Sequence, residues 1–211
     1  MRQIMDVSGA VLHSEREYDI AAGTSIVAGQ VVKLSEGLVV AAAVAETGAI
    51  LGYACEDHPG TADALNPRSN GTRILVQDAP GAIAESPAPV ITATGGTATT
   101  ITADCAVSFA ADLFNGGYVK DRKTGRVRRI TDSAVSGGTM TLTVESGDAP
   151  ANGDKFVLFP PVGFSGGNLS ADGRKLVLTA TAALPFTVVG RDEVQNMIWT
   201  VATKHALAAA R

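Results

Sequence analysis

Three short runs in this 211-residue chain bring together side chains able to do chemistry. Gly163-Phe-Ser-Gly-Gly167 spells a nucleophile elbow, in which a serine rides a sharp strand-to-helix turn whose helix helps hold an oxyanion. Pro160-Pro161 precede it and Asn168-Leu-Ser-Ala-Asp-Gly173 follows, so no clear helix is expected after Ser165 and the run reads as a flexible connector. Cys55-Glu-Asp-His58 places a thiol, two carboxylates and an imidazole within four residues. Zinc needs three or four ligands, and His13, His205 and Cys105 stand far off in sequence. Ordinary turn chemistry over Asp57-His-Pro-Gly60 is the expectation, with no metal and no cofactor.

The third run is basic. Lys120, Arg122, Lys123, Arg126, Arg128 and Arg129 supply six of the 17 Lys/Arg within ten residues. Such density would neutralise phosphates. Tyr118 is the lone aromatic interleaved with it, and the formal net charge is −4, so nucleic acid is not the expected partner. Two readings stay open, a solvated hairpin face and a surface that docks on an acidic protein. If alternate residues of a hairpin point outward, Arg126 and Arg128 share one face, with Lys120 and Arg122 across the turn. Trp199, the single tryptophan, is either a core anchor or an inter-subunit contact.

The elements that must position these residues read as strands. Thr139–Val144 alternates strictly, with Met140, Leu142 and Val144 on one side of a pleated strand and threonines on the other. From Asp19 to Glu85, apolar runs of about five residues are separated by glycines at a spacing that leaves no room for three helical turns. Thr94-Gly-Gly-Thr97 reads as a hairpin turn, Val39–Thr47 would tolerate a helix, and a helical turn is expected around Ser108–Phe114. Glu193–His205 fits either period; its β-branched residues and Trp199 favour a strand. No internal repeat is evident.

The expected fold is therefore mainly all-β. Residues 1–18 form an extended N-terminal arm and 19–85 a small β-barrel or sandwich. Residues 86–162 form a second small antiparallel β domain, and 163–211 a connector with C-terminal strands. If those strands return to the first domain, 86–162 is an insertion. The arm carries Ile4, Val7, Val11 and Leu12 at weakly amphipathic spacing, more apolar side chain than a solvated tail needs, so it is expected to dock on a neighbour.

Composition sets the outer limits. Charged residues make up 18% and aromatics 5%, so the core is built from aliphatic side chains. Residues 1–119 carry 5 Lys/Arg against 13 Asp/Glu, a net of −8, and residues 120–211 carry 12 against 8, a net of +4. Opposite fields on one small protein suit packing in an assembly. Two cysteines fifty positions apart do not make a disulfide scaffold. Met1–Asp19 lacks the apolar run of a signal peptide, and no stretch approaches a membrane span, so cytoplasmic synthesis is expected.

Two portions resemble known virion proteins. Ala21-Ala-Gly-Thr-Ser-Ile-Val-Ala-Gly-Gln-Val-Val-Lys-Leu34, Gly37-Leu-Val-Val-Ala41 and Ile50-Leu-Gly-Tyr-Ala-Cys-Glu-Asp57 are similar in cadence to small β-barrel decoration, or cement, proteins of tailed-phage heads. Phe114-Asn-Gly-Gly-Tyr-Val119, Gly125, Arg128-Arg-Ile-Thr-Asp132 and Gly153-Asp-Lys-Phe-Val-Leu-Phe-Pro160 resemble a β module of phage structural proteins. The resemblance implies a capsid-surface protein made in the host cytoplasm, with the major capsid protein as partner, self-association as a homotrimer and no catalytic residues. A receptor- or carbohydrate-binding module of a fibre or tail is the alternative from a different class. A hydrolase using Ser165 is the third.

Overall fold

The computed structural model describes residues 2–6, 15–60, 73–79, 81–105, 109–178 and 184–207, the first of these by backbone course alone. Among them there is no helix, and every strand pairs antiparallel with its neighbours. The all-β expectation holds.

Seven strands precede the proline-flanked junction at 87–89: β1 (Arg2–Asp6), β2 (Glu15–Asp19), β3 (Val31–Ser35), β4 (Leu38–Ala41), β5 (Gly52–Ala54), β6 (Arg73–Gln77) and β7 (Ala82–Pro87). Five of them form one sheet in the order β2-β6-β5-β3-β4. It curls until Ile20, just past β2, bridges Val39 of β4. Ile26, Val32, Val39, Leu51, Ile74 and Val76 fill the inside of the curl. The stretch that would tolerate a helix supplies β4 and then turns, because Val39 is fully buried in that core and Val40 pairs with Lys33.

Six strands close into a barrel in the order β10-β11-β12-β9-β8-β13, leaving no free edge. They are β8 (Val90–Thr97), β9 (Thr100–Asp104), β10 (Tyr118–Asp121), β11 (Val127–Ser136), β12 (Thr139–Val144) and β13 (Lys155–Phe159). Met140, Leu142 and Val144 are buried as the alternation required, and with Ile101, Ile130 and Phe156 they fill the interior. Gly137 (φ 60°) and Gly138 (φ 86°) make the two-residue turn between β11 and β12, where both positions need left-handed backbone. The turn expected at Gly95-Gly96 lies at Ala98-Thr99 instead. Gly96 stays inside β8 because a Cβ there would sit 2.2 Å from the Thr100 carbonyl oxygen and 2.7 Å from Pro150. No helical turn forms before β10: Ala111–Gly116 is a run of turns, with Asp112 at φ 63°.

The remaining strands are β14 (Asn168–Leu169), β15 (Leu176–Val177), β16 (Phe186–Asp192) and β17 (Met197–Ala202). β14 and β15 pair with each other, while β16 and β17 join β7 and β1 in a sheet of order β1-β7-β17-β16. The barrel strands thus lie in sequence between two strands that pair, β7 and β17. The strand reading of the Trp199 segment holds. Beyond β17 the chain returns to the five-stranded sheet: Ile50 donates to the Lys204 carbonyl at 3.1 Å, and Ala206 donates to Ile50 at 2.8 Å.

The N-terminal segment is paired within the chain wherever it is described. β1 lies along β7, with Arg2 opposite Glu85, and β2 lies along β6, with Glu15 opposite Gln77. Ile4 falls in β1, whereas Val7, Val11 and Leu12 lie outside the described residues.

Candidate docking surface

The basic run spans the β10–β11 hairpin. Its turn is organised by Asp121, whose carboxylate accepts the Lys123 N–H at 2.7 Å and the Thr124 N–H at 3.4 Å, while its carbonyl accepts Gly125 at 2.8 Å. Partial burial works to raise the Asp121 pKa, but the Lys123 and Thr124 hydrogen bonds, helped by the charge of Arg128, hold it below the usual carboxylate range. A turn with its hydrogen bonds satisfied internally presents its cations in a fixed geometry.

The six cations do not act alike. Arg122, Lys123, Arg126 and Arg129 are exposed. Arg126 Nη2 donates to the Ser146 carbonyl at 2.8 Å, and the Arg129 N–H reaches Glu145 Oε2 at 3.3 Å. Lys155 is a fifth exposed cation at this end, its carbonyl accepting the Arg122 N–H at 3.0 Å. Sequence reasoning passed over it because it lies about 30 residues on; the register of β13 against β10 brings it in.

Lys120 is used within the fold, and Arg128 is turned into it. Lys120 Nζ donates to the Glu193 carbonyl at 2.6 Å and to Asn196 Oδ1 at 3.0 Å, tying the barrel to the β16–β17 turn. Two residues earlier Tyr118 makes a parallel tie, with the Arg191 guanidinium 3.6 Å from its ring centroid and Arg191 Nε 2.7 Å from Glu193 Oε1. Arg128 is 4% exposed, opposite buried Val119 and two residues from buried Ile130. The outward face expected for Arg126 and Arg128 is thus corrected: Arg128 belongs to the inward row of β11, and Arg126 lies in the turn beyond the strand.

Trp199 sits on β17 opposite Gly190, and its indole covers the glycine, where a Cβ would lie 2.6 Å from Cε3. It is half-buried, with a buried Nε1 that finds no hydrogen-bond partner among the described residues. With Arg191, Asp192 and Glu193 it lines a shallow cleft of about 490 Å³. Lys120 and Trp199, far apart in sequence, therefore meet the same β-hairpin, while the exposed cations gather at the barrel turn.

The two other runs lie in loops and turns. Ser165 lies in a loop between β13 and β14 with no helix after it, and its carbonyl accepts the Leu184 N–H at 2.9 Å, so the elbow geometry is not made. His58 is buried and exchanges two backbone hydrogen bonds with Ile26, at 2.8 and 2.7 Å. Cys55 and Cys105 are free thiols, and no group of three metal-binding side chains occurs among the described residues. Burial, with the nearby charge of Glu15, pushes the Cys55 thiol up to about 11, which keeps it protonated and unreactive near neutral pH.

The acidic half of the chain has its counterpart on β2, an exposed edge strand bearing Glu15, Glu17 and Asp19. Arg73 lies 3.7 Å from Glu17 and 3.3 Å from Asp19. Behind them the buried Asp78 carboxylate accepts the Tyr18 hydroxyl, and Arg16 Nε lies 3.6 Å from it. In comparisons with family models, curated proteins and solved structures, nothing matches this chain.

Proposed function

We propose that the chain is a structural protein of a tailed-phage virion, which decorates the outer surface of the capsid and stabilises it by binding across shell subunits. It acts by contact, without turnover. The observation that supports this most is the hairpin end of the closed barrel, where Arg122, Lys123, Arg126 and Arg129 are exposed on a turn braced by Asp121. A rigid base loses little ordering entropy when such a patch meets an acidic surface, and opposite charge speeds the encounter. The major capsid protein is the partner in this reading, and a homotrimer suits the local three-fold positions of a shell.

Purified protein added to expanded heads of the encoding phage tests the reading. Saturable co-sedimentation is expected, with a rise in the temperature at which the heads rupture. Absence of binding at saturating protein sinks it.

A further inference from the structure

One cation of the basic run lacks the solvation the others enjoy. Arg128 is the inward residue of β11 nearest the hairpin turn, and its guanidinium lies 5.6 Å from the centroid of the Phe156 ring. Among the described residues its direct hydrogen bonding consists of Nη1 donating to the Asp148 carbonyl at 3.4 Å, beyond the usual range for a strong bond. It makes no ion pair among them. The carboxylates of Asp121 and Asp148 attract it from farther off, while Arg126 repels it, and burial itself disfavours its charge. A guanidinium has five N–H donors. Nε and Nη2 are not among the fully buried, unpartnered side-chain atoms, so these donors keep solvent contact and stay open to an incoming acceptor, and an anion there would offset the cost that burial places on the charge.

Space is kept for the Arg128 guanidinium itself. At Gly147 a Cβ would stand 2.9 Å from Arg128 Cδ and 3.1 Å from Nη1, so any other residue there would push the guanidinium aside. Arg126 stands beside it, anchored to the Ser146 carbonyl at 2.8 Å and exposed to an approaching partner. Two neighbouring guanidinium groups, one buried and one at the rim, are the donor set that recognises a planar or tetrahedral oxyanion.

We propose that Arg126 and Arg128 form an oxyanion site at the mouth of the barrel, and that its occupant is a side-chain carboxylate of the docking partner. The identity of the partner rests on the docking reading above; the site does not. A carboxylate is favoured over phosphate because Asp121 and Asp148 lie close by, and their field penalises a dianion more than a monoanion.

The test uses the full chain labelled with ¹⁵N, observing arginine Nε–Hε resonances while a hexaglutamate peptide or inorganic phosphate is titrated at constant ionic strength. The Arg128 resonance is assigned by its loss in R128K; because R128K could fold poorly, the deciding variant is R126A at the exposed rim. The peptide is expected to shift the Arg128 resonance saturably, with affinity about tenfold weaker in R126A. In R122A/K123A the Arg128 shift at saturation is expected to be unchanged. An unmoved Arg128 resonance, or equal affinity in R126A, overturns the site, and tighter binding of phosphate overturns the carboxylate assignment. Peptide binding without binding to heads refutes the docking reading alone, whereas binding to heads with an unshifted Arg128 refutes the site alone.

Discussion

Glu46 shows how a single side chain couples this fold to pH. Its Oε2 lies 2.7 Å from Lys33 Nζ and accepts the Ala43 N–H at 3.1 Å, while Oε1 accepts the Gly48 N–H at 2.8 Å. Burial works to raise its pKa, but the Lys33 hydrogen bond and the two N–H groups outweigh burial and hold the carboxyl below its ordinary 4.5. A depressed carboxyl contributes stability that is fully present above the unfolded value and is lost as pH falls through the folded one. His205 adds in the same direction: burial, only partly countered by Asp78 and Leu51, lowers its pKa from 6.5, so its contribution declines as pH drops below that value. Glu46→Gln is expected to cost about 1–2 kcal/mol at pH 7, measured by urea unfolding. Its difference from the parent should fade as pH falls below 4.5. A difference that stays constant to about pH 3 would contradict the account. Arg128 carries the residue-scale lesson about legibility. Its parity with Ile130 is visible in the sequence, but both a solvated hairpin face and a docking surface put the six cations outside, and only closure of the barrel puts one of them inside.

At the scale of elements, local patterns were readable and long-range pairings were not. The alternation of Thr139–Val144 follows from period within a few residues and is realised, whereas the turn expected at Gly95-Gly96 moved to Ala98-Thr99 because Gly96 is needed inside its strand. The pairing of β1 with β7 depends on residues about 80 positions apart, for which no local signal exists. Deleting residues 1–18 therefore bears on stability as well as on any docking role. The deletion removes β1 and four of the five residues of β2, and it frees the buried Asp78 of its Tyr18 and Arg16 partners. Taking two polar partners from a buried carboxylate costs about 1–3 kcal/mol. The deleted chain is expected to melt several degrees lower by circular dichroism, at about 2–4 °C per kcal/mol for a chain of this size. An unchanged melting temperature would mean that the segment is an independent arm after all.

Over the whole molecule, the sequence order of charge becomes a surface distribution. The acidic half is represented by the β2 edge, and part of the basic half by one end of the barrel. The ties of Lys120 and Tyr118 to the β16–β17 hairpin fix that barrel to the four-stranded sheet, so the cations are carried on a braced body. The charge asymmetry was legible from composition; which cations stay exposed was not, because the β16–β17 turn engages Lys120 and closure of the barrel turns Arg128 inward. The central claim is that the exposed hairpin cations dock on an acidic shell. Its most direct test is the affinity for expanded heads as a function of salt, for the parent chain and for R122E/K123E. The expected result is binding that weakens steeply between about 50 and 200 mM salt, as screening of exposed charges requires, and a reversed pair that binds at least about a hundredfold more weakly while melting at the parent temperature. Equal affinity of the two proteins at every salt concentration would contradict it.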